Sequence, residues 1–173
     1  MYQIGEKVVH PVHGACQILN ICQREGNATE EMYYVLEPTS EQGMILWVPA
    51  EHTNKNVGLR KVISKEQSIA VMKMVRTVEI EWIKDHKVRH LHYAQVIKEG
   101  DFCEMAKLYK ELIRKEAMKQ LPLSEKEMLN KLRKKLISEM MVSQAITLEM
   151  AMAQLNDIWQ DESESLFMSE ATL

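Results

Sequence analysis

Long hydrophobic runs are missing from these 173 residues. No apolar stretch approaches the roughly 20 residues that a bilayer-crossing helix requires. The opening Met1-Tyr2-Gln3-Ile4-Gly5 also lacks the basic stretch and apolar segment of a secretory leader. A cytoplasmic protein without a membrane partner is the expectation. Cysteine is scarce, and Cys16, Cys22 and Cys103 form no CxxC pair. In a reducing compartment they read as small apolar residues rather than a disulfide framework. Cys16 and Cys22, six residues apart, are expected on the same face of one strand. Catalytic signatures are absent too: there is no P-loop, GxGxxG, GxSxG or HExxH. Neither an enzyme nor a cofactor is expected. His86 and His90 stand four residues apart, as two ligands on a helix would, but no cysteine or clear third ligand accompanies them. His92 would point about 200° away from His90 on a helix, so no metal site is expected.

What is present is an uneven distribution of charge. The formal net charge is −3. Residues 1–72 carry six Lys/Arg and eight Asp/Glu, residues 73–137 carry sixteen and ten, and residues 138–173 carry none and seven. The segment charges are thus −2, +6 and −7. A basic middle supplies the local cationic field that phosphate contact requires, although lysine-rich helices also occur simply as solvated faces.

The chain changes character near Ser64. Before it, short apolar runs are broken by Gly and Pro at roughly ten-residue spacing. Lys7–His10, Ala15–Cys22, Met32–Leu36 and Met44–Val48 read as strands, with turns at Pro11–Gly14, Arg24–Asn27 and Ser40–Gly43. This is the pattern of a small twisted β-barrel of the Tudor or SH3-like kind. After Ser64, Gly and Pro become sparse and the apolar period becomes helical. Helices are expected over Lys65 to about Val75 and over Val78–Lys98, the second stopped by Gly100. A third is capped by Asp101 with Glu104 and ended by Pro122. A fourth runs from a Ser124/Glu127 capping box to about Met141, and a shorter fifth covers Thr147–Trp159. The expected architecture is therefore α+β in two domains: a β-barrel over 1–64, an all-α bundle of four to five helices over 65–160, and an acidic tail over 161–173.

The positions Gly5, Val8-Val9, Pro11, His13-Gly14 and Val48-Pro49-Ala50-Glu51 make the chain resemble the CarD/CdnL family of bacterial transcription regulators. That family's RNA-polymerase-interaction domain is shared with the transcription-repair coupling factor. The order of barrel first and helices second matches as well, so the resemblance spans nearly the whole chain, specifically in the barrel and more loosely in the helices. It implies a regulator that docks on the β-subunit lobe of RNA polymerase through the barrel edge. It further implies contact with promoter DNA, at low sequence specificity, at the upstream edge of the bubble, stabilising the open complex. The alternative is an adaptor that binds polymerase or another partner through the barrel without touching DNA.

The resemblance also directs attention to particular residues. Arg24 falls where the family places a basic polymerase contact after the second strand, or it is a solvated turn arginine. Trp47 stands where the family can carry a second basic contact; it either anchors an interface by area or plugs the barrel. Trp82 corresponds to an exposed tryptophan that wedges into the minor groove, with packing at the domain interface as the other reading. On the expected second helix, Ile80, Ile83, Lys87, Leu91, Ala94 and Ile97 form one stripe facing the core. Trp82, His86, Arg89 and Tyr93 form a separate face. Lys84, His86, Lys87 and Arg89 would flank the wedge, with Lys131 and Lys134 as a second set of phosphate contacts.

Overall fold

In the computed structural model, residues 1–23, 31–50, 58–118 and 121–158 are described. They fall into two compact units, Met1–Ile63 and Ser64–Leu173. The first is an antiparallel sheet of β1 (Lys7–His10), β2 (Gly14–Gln23), β3 (Met32–Pro38), β4 (Leu46–Pro49) and β5 (Arg60–Lys61). The strand order is β4-β3-β2-β1-β5. This is an open sheet: β4 and β5 are its edges, and they do not pair with each other among the described residues, so closure into a barrel is not seen there.

Alternation builds the core of this unit. Val8, Cys16, Ile18, Tyr34, Leu36, Val48 and Leu59 form one buried cluster, with Tyr2, Ile21, Leu46 and Ala50 packed against it. Gly14, with φ +73°, turns the chain from β1 into β2 in a conformation that side chains rarely adopt. His10 holds that turn, its Nδ1 accepting from the amides of Val12 at 3.1 Å and His13 at 3.3 Å. One expectation fails on β2. A bulge between Ile18 and Asn20 adds a residue, Leu19, and shifts the alternation, so that Ile21 joins Ile18 and Cys16 on the core side. Cys16 and Cys22 therefore do not share a face. Cys16 is buried and Cys22 half-buried, and burial pushes the Cys16 thiol up to about 12.

The second unit is helical: α1 (Lys65–Thr77), α2 (His86–Glu99), α3 (Phe102–Met118), α4 (Leu123–Gln144) and α5 (148–158). Ser64 opens α1 with a reciprocal capping box on Gln67. Phe102, Met105, Ala106, Tyr109 and Leu112 of α3 are buried together with Leu129, Leu132, Leu136 and Met140 of α4, at the spacing the sequence predicts. Polar bonds join helices inside this core. The Gln144 side-chain amide donates to Ser68 Oγ at 2.9 Å, and its oxygen accepts from Gln154 at 3.0 Å, tying α1, α4 and α5.

Two helix starts differ from expectation. Pro122 precedes α4, and its carbonyl accepts from the amides of Glu125 and Lys126. Ser124 thus lies inside the first turn and cannot cap it. The second helix begins not at Val78 but at His86, after a non-helical segment, because Asp85 caps it by accepting from the amides of Lys87 at 2.8 Å and Val88 at 3.0 Å. Those two amides hold the Asp85 carboxyl below its usual range.

Candidate nucleic-acid interface

Trp82 lies on the irregular segment between α1 and α2, not on a helix. Buried cations satisfy the carbonyls around it. Lys110 of α3 donates to the carbonyls of Arg76 at 2.8 Å and Val78 at 3.1 Å, capping the end of α1. Arg89 of α2 donates to the carbonyls of Ile83 at 2.9 Å and Lys84 at 3.3 Å. The same guanidinium grips Glu125 Oε1 of α4 through Nη2 at 2.8 Å and Nε at 3.1 Å. The side chains of this pair are only 9% and 1% exposed.

The buried face of α2 is therefore the reverse of the expected one. Arg89, Tyr93 and Val96 face inward, whereas Lys87 and Ala94 are exposed and Leu91 is 73% exposed. Tyr93 donates its hydroxyl to Glu111 Oε1 at 2.9 Å. Burial pushes the Tyr93 phenol up, with the nearby Glu111 charge adding to it. Burial likewise raises the Glu111 carboxyl, against the lowering effect of the Tyr93 hydrogen bond. Hydropathy gave no sign of this arrangement, because its inward residues are polar and their partners lie elsewhere in the chain. Arg89 consequently leaves the set of direct phosphate contacts: it is committed to Glu125 and two backbone carbonyls.

What Arg89 does instead is support Trp82. Its Cζ lies 4.4 Å from the centroid of the Trp82 ring, and Lys115 Nζ of α3 lies 4.5 Å from it. Both are within cation–π range. Trp82 is half-buried and lines a cleft of about 960 Å³ with Arg76, Ile80, Arg114, Lys115 and Met118 among its walls. Lys84, His86 and Lys87 follow it closely and are all exposed, so four of the expected residues meet at the entry to α2. Lys131 and Lys134 are exposed on α4, a different element, while Lys135 beside them is buried and donates to the Ile97 carbonyl at 3.3 Å. Sequence reasoning missed Lys115 and Arg114. Each was only one more basic residue in the positive middle segment, and the fold of α3 against the Trp82 segment brings them to the cleft.

In the sheet unit, Trp47 stands on the edge strand β4, 41% exposed, with its ring edge-on to Tyr33 at 6.4 Å. Ile45 beside it is also exposed. Trp47 does not fill the core cluster, which uses its neighbours Leu46 and Val48. Arg24 lies outside the described residues.

Sheet and helices each match a known family model. Residues 2–63 match the CarD-like/TRCF RID domain, and residues 70–156 match the CarD C-terminal domain. Together they define a two-part transcription regulator with an RNA-polymerase-interaction unit followed by a helical one. A relative in Bacillus subtilis (strain 168), named "Putative transcription factor YdeB", is 31% identical over 147 residues, covering 85% of this chain and 95% of the relative. The chain belongs to the CarD family, and as a member it is a transcription regulator that interacts with RNA polymerase.

Proposed function

We propose that the sheet unit docks on the β-subunit lobe of RNA polymerase through its β4 edge. The helical unit then meets promoter DNA beside the upstream edge of the melted region. The observation that carries the DNA half is Trp82, with Arg89 and Lys115 against its ring and exposed Lys84 and Lys87 just after it. A half-buried indole on a fixed support exposes part of one large apolar surface to an unstacked base step, while nearby ammonium groups face phosphates. Such a contact is better made to opened than to closed DNA, so binding shifts the promoter toward the open complex. Sequence specificity is low, because phosphates and a wedge read shape rather than base edges. The docking half rests on β4, an edge strand that exposes Trp47, with Ile45 exposed just before the strand begins, an aromatic-centred patch of the kind that anchors interfaces. The protein works by binding, without catalysis.

A second reading, an adaptor that touches no DNA, is favoured by one observation: the outer face of α2 exposes Val88 and Leu91, which suit a protein partner better than a phosphate backbone. Binding of the full chain to polymerase, with and without promoter DNA, separates the two across a salt series. About four phosphate contacts weaken the DNA-dependent part roughly 100-fold between about 50 and 200 mM salt. Promoter-independent affinity at every salt concentration would establish the adaptor instead.

A further inference from the structure

The two histidines at helical spacing lacked a third donor in sequence, and the fold supplies one. His86 and His90 occupy the first and second turns of α2, with ring centroids 4.3 Å apart. Glu125, in the first turn of α4, comes up beside them. One ligand atom from each of His86, His90 and Glu125 lies within 4.8 Å of the others. Glu125 is almost fully buried, and His90 Nε2 is 3.8 Å from its Oε1. That imidazole nitrogen is itself buried and has no hydrogen-bond partner among the described residues. A buried nitrogen without a partner is costly unless something else occupies its lone pair or takes its proton.

We propose that His86, His90 and Glu125 form a site for a borderline divalent cation of the Zn²⁺ type. Two imidazoles and one carboxylate are the donor set such ions take in three-ligand sites, leaving the fourth position to solvent. Ligands about 2.0–2.2 Å from one ion stand somewhat over 3 Å apart. The three donor atoms, each within 4.8 Å of the others, therefore close on an ion with small rotations of the two imidazoles. Arg89 does not prevent this. Its two bonds fall on Glu125 Oε1, and since a carboxylate has about four lone-pair sites, the ion would be taken on the other oxygen, Oε2. Ligating carboxylates are ordinarily held by such outer hydrogen bonds. A bound ion would join the start of α2 to the start of α4 and so stiffen Arg89, the support of Trp82.

A second grouping of potential donors among the described residues, Asp101, Cys103 and Glu104, is weaker and serves as the control. Asp101 Oδ1 already accepts from the Glu104 amide, and Glu104 is paired with Lys107 at 2.8 Å. The test is calorimetric titration of the full chain with Zn²⁺, with folding of each variant checked by circular dichroism. One ion is expected, bound at least about 100-fold more weakly by His90→Ala and His86→Ala, since losing a ligand costs more than losing an outer partner. Cys103→Ser should leave binding unchanged. If His90→Ala does not fold, the exposed His86→Ala decides alone. No binding by the wild type, wild-type affinity in folded histidine variants, or loss in Cys103→Ser would each overturn the site.

Discussion

Replacing Arg89 by Ala removes the group on which the Trp82 segment and the α2–α4 contact both depend. The side chain makes two bonds to Glu125 Oε1 and donates to the carbonyls of Ile83 and Lys84. Truncation leaves a carboxylate that is 1% exposed without its counter-charge, and two backbone acceptors without their donor. Breaking a buried ion pair from one side costs about 3–5 kcal/mol. The carbonyl bonds belong to the same event and are not added to this figure. With an urea dependence near 2 kcal/mol per M, the unfolding midpoint of the helical unit should fall by roughly 2 M. Far-ultraviolet circular dichroism, which is dominated by these helices, is the assay. Arg89→Lys should fall between the two, because an ammonium keeps the charge but cannot present the planar fork. Pairing Arg89→Met with Glu125→Met should recover much of the loss, since neither charge is then left buried. A single-variant cost below about 1 kcal/mol, or a double variant whose cost is the sum of the singles, would refute the buried pair as the organising contact.

Glu111 gives a pH prediction. Its folded pKa is raised by burial above the ordinary 4.5, so the neutral form is the one folding favours. Its contribution is fully present below the unfolded value and is lost as pH rises through the folded one. Glu111→Gln, which keeps an acceptor for Tyr93, should therefore gain in melting temperature relative to wild type between about pH 4 and pH 7. A constant or opposite difference would show that Glu111 is not buried in this way. Ser64→Ala removes the side-chain half of the α1 capping box and should cost about 1 kcal/mol, or roughly 4–8 °C in thermal unfolding of the helical unit. An unchanged melt would place that helix start elsewhere. Trp47→Ala should weaken binding to RNA polymerase by at least tenfold in a pull-down titration, with the sheet still folded because Trp47 lies outside its core cluster. Equal binding would move the docking surface away from the β4 edge.

The parts of this fold legible in the sequence are those set by one residue's neighbours in the chain. Strands broken by Pro11, Pro38 and Pro49, and the apolar period of α3 and α4, follow from local steric and burial rules. The α1–α2 segment was not legible. Ile80 and Ile83 continue a helical period, yet the segment is not helical, and Lys110 and Arg89, arriving from two helices, take carbonyls at its two ends. The inward face of α2 was misread for the same reason. Arg89 is buried only because Glu125 lies 36 residues on, and Tyr93 only because Glu111 lies 18 residues on. Hydropathy treats each as a surface residue, since it has no knowledge of the partner. At the candidate site, Trp82, Lys84, His86 and Lys87 are named by chain proximity and family resemblance, whereas the place of Lys115 beside the ring depends on the packing of α3.

Open-complex lifetime with wild-type chain and with Trp82→Ala, on one promoter and at one salt concentration, tests the central claim most directly. Polymerase binding of both proteins is measured alongside. The cation-supported indole predicts a shorter lifetime for the variant with polymerase binding retained. An unchanged lifetime at equal polymerase occupancy would contradict it and leave the helical unit without a role at the melted DNA.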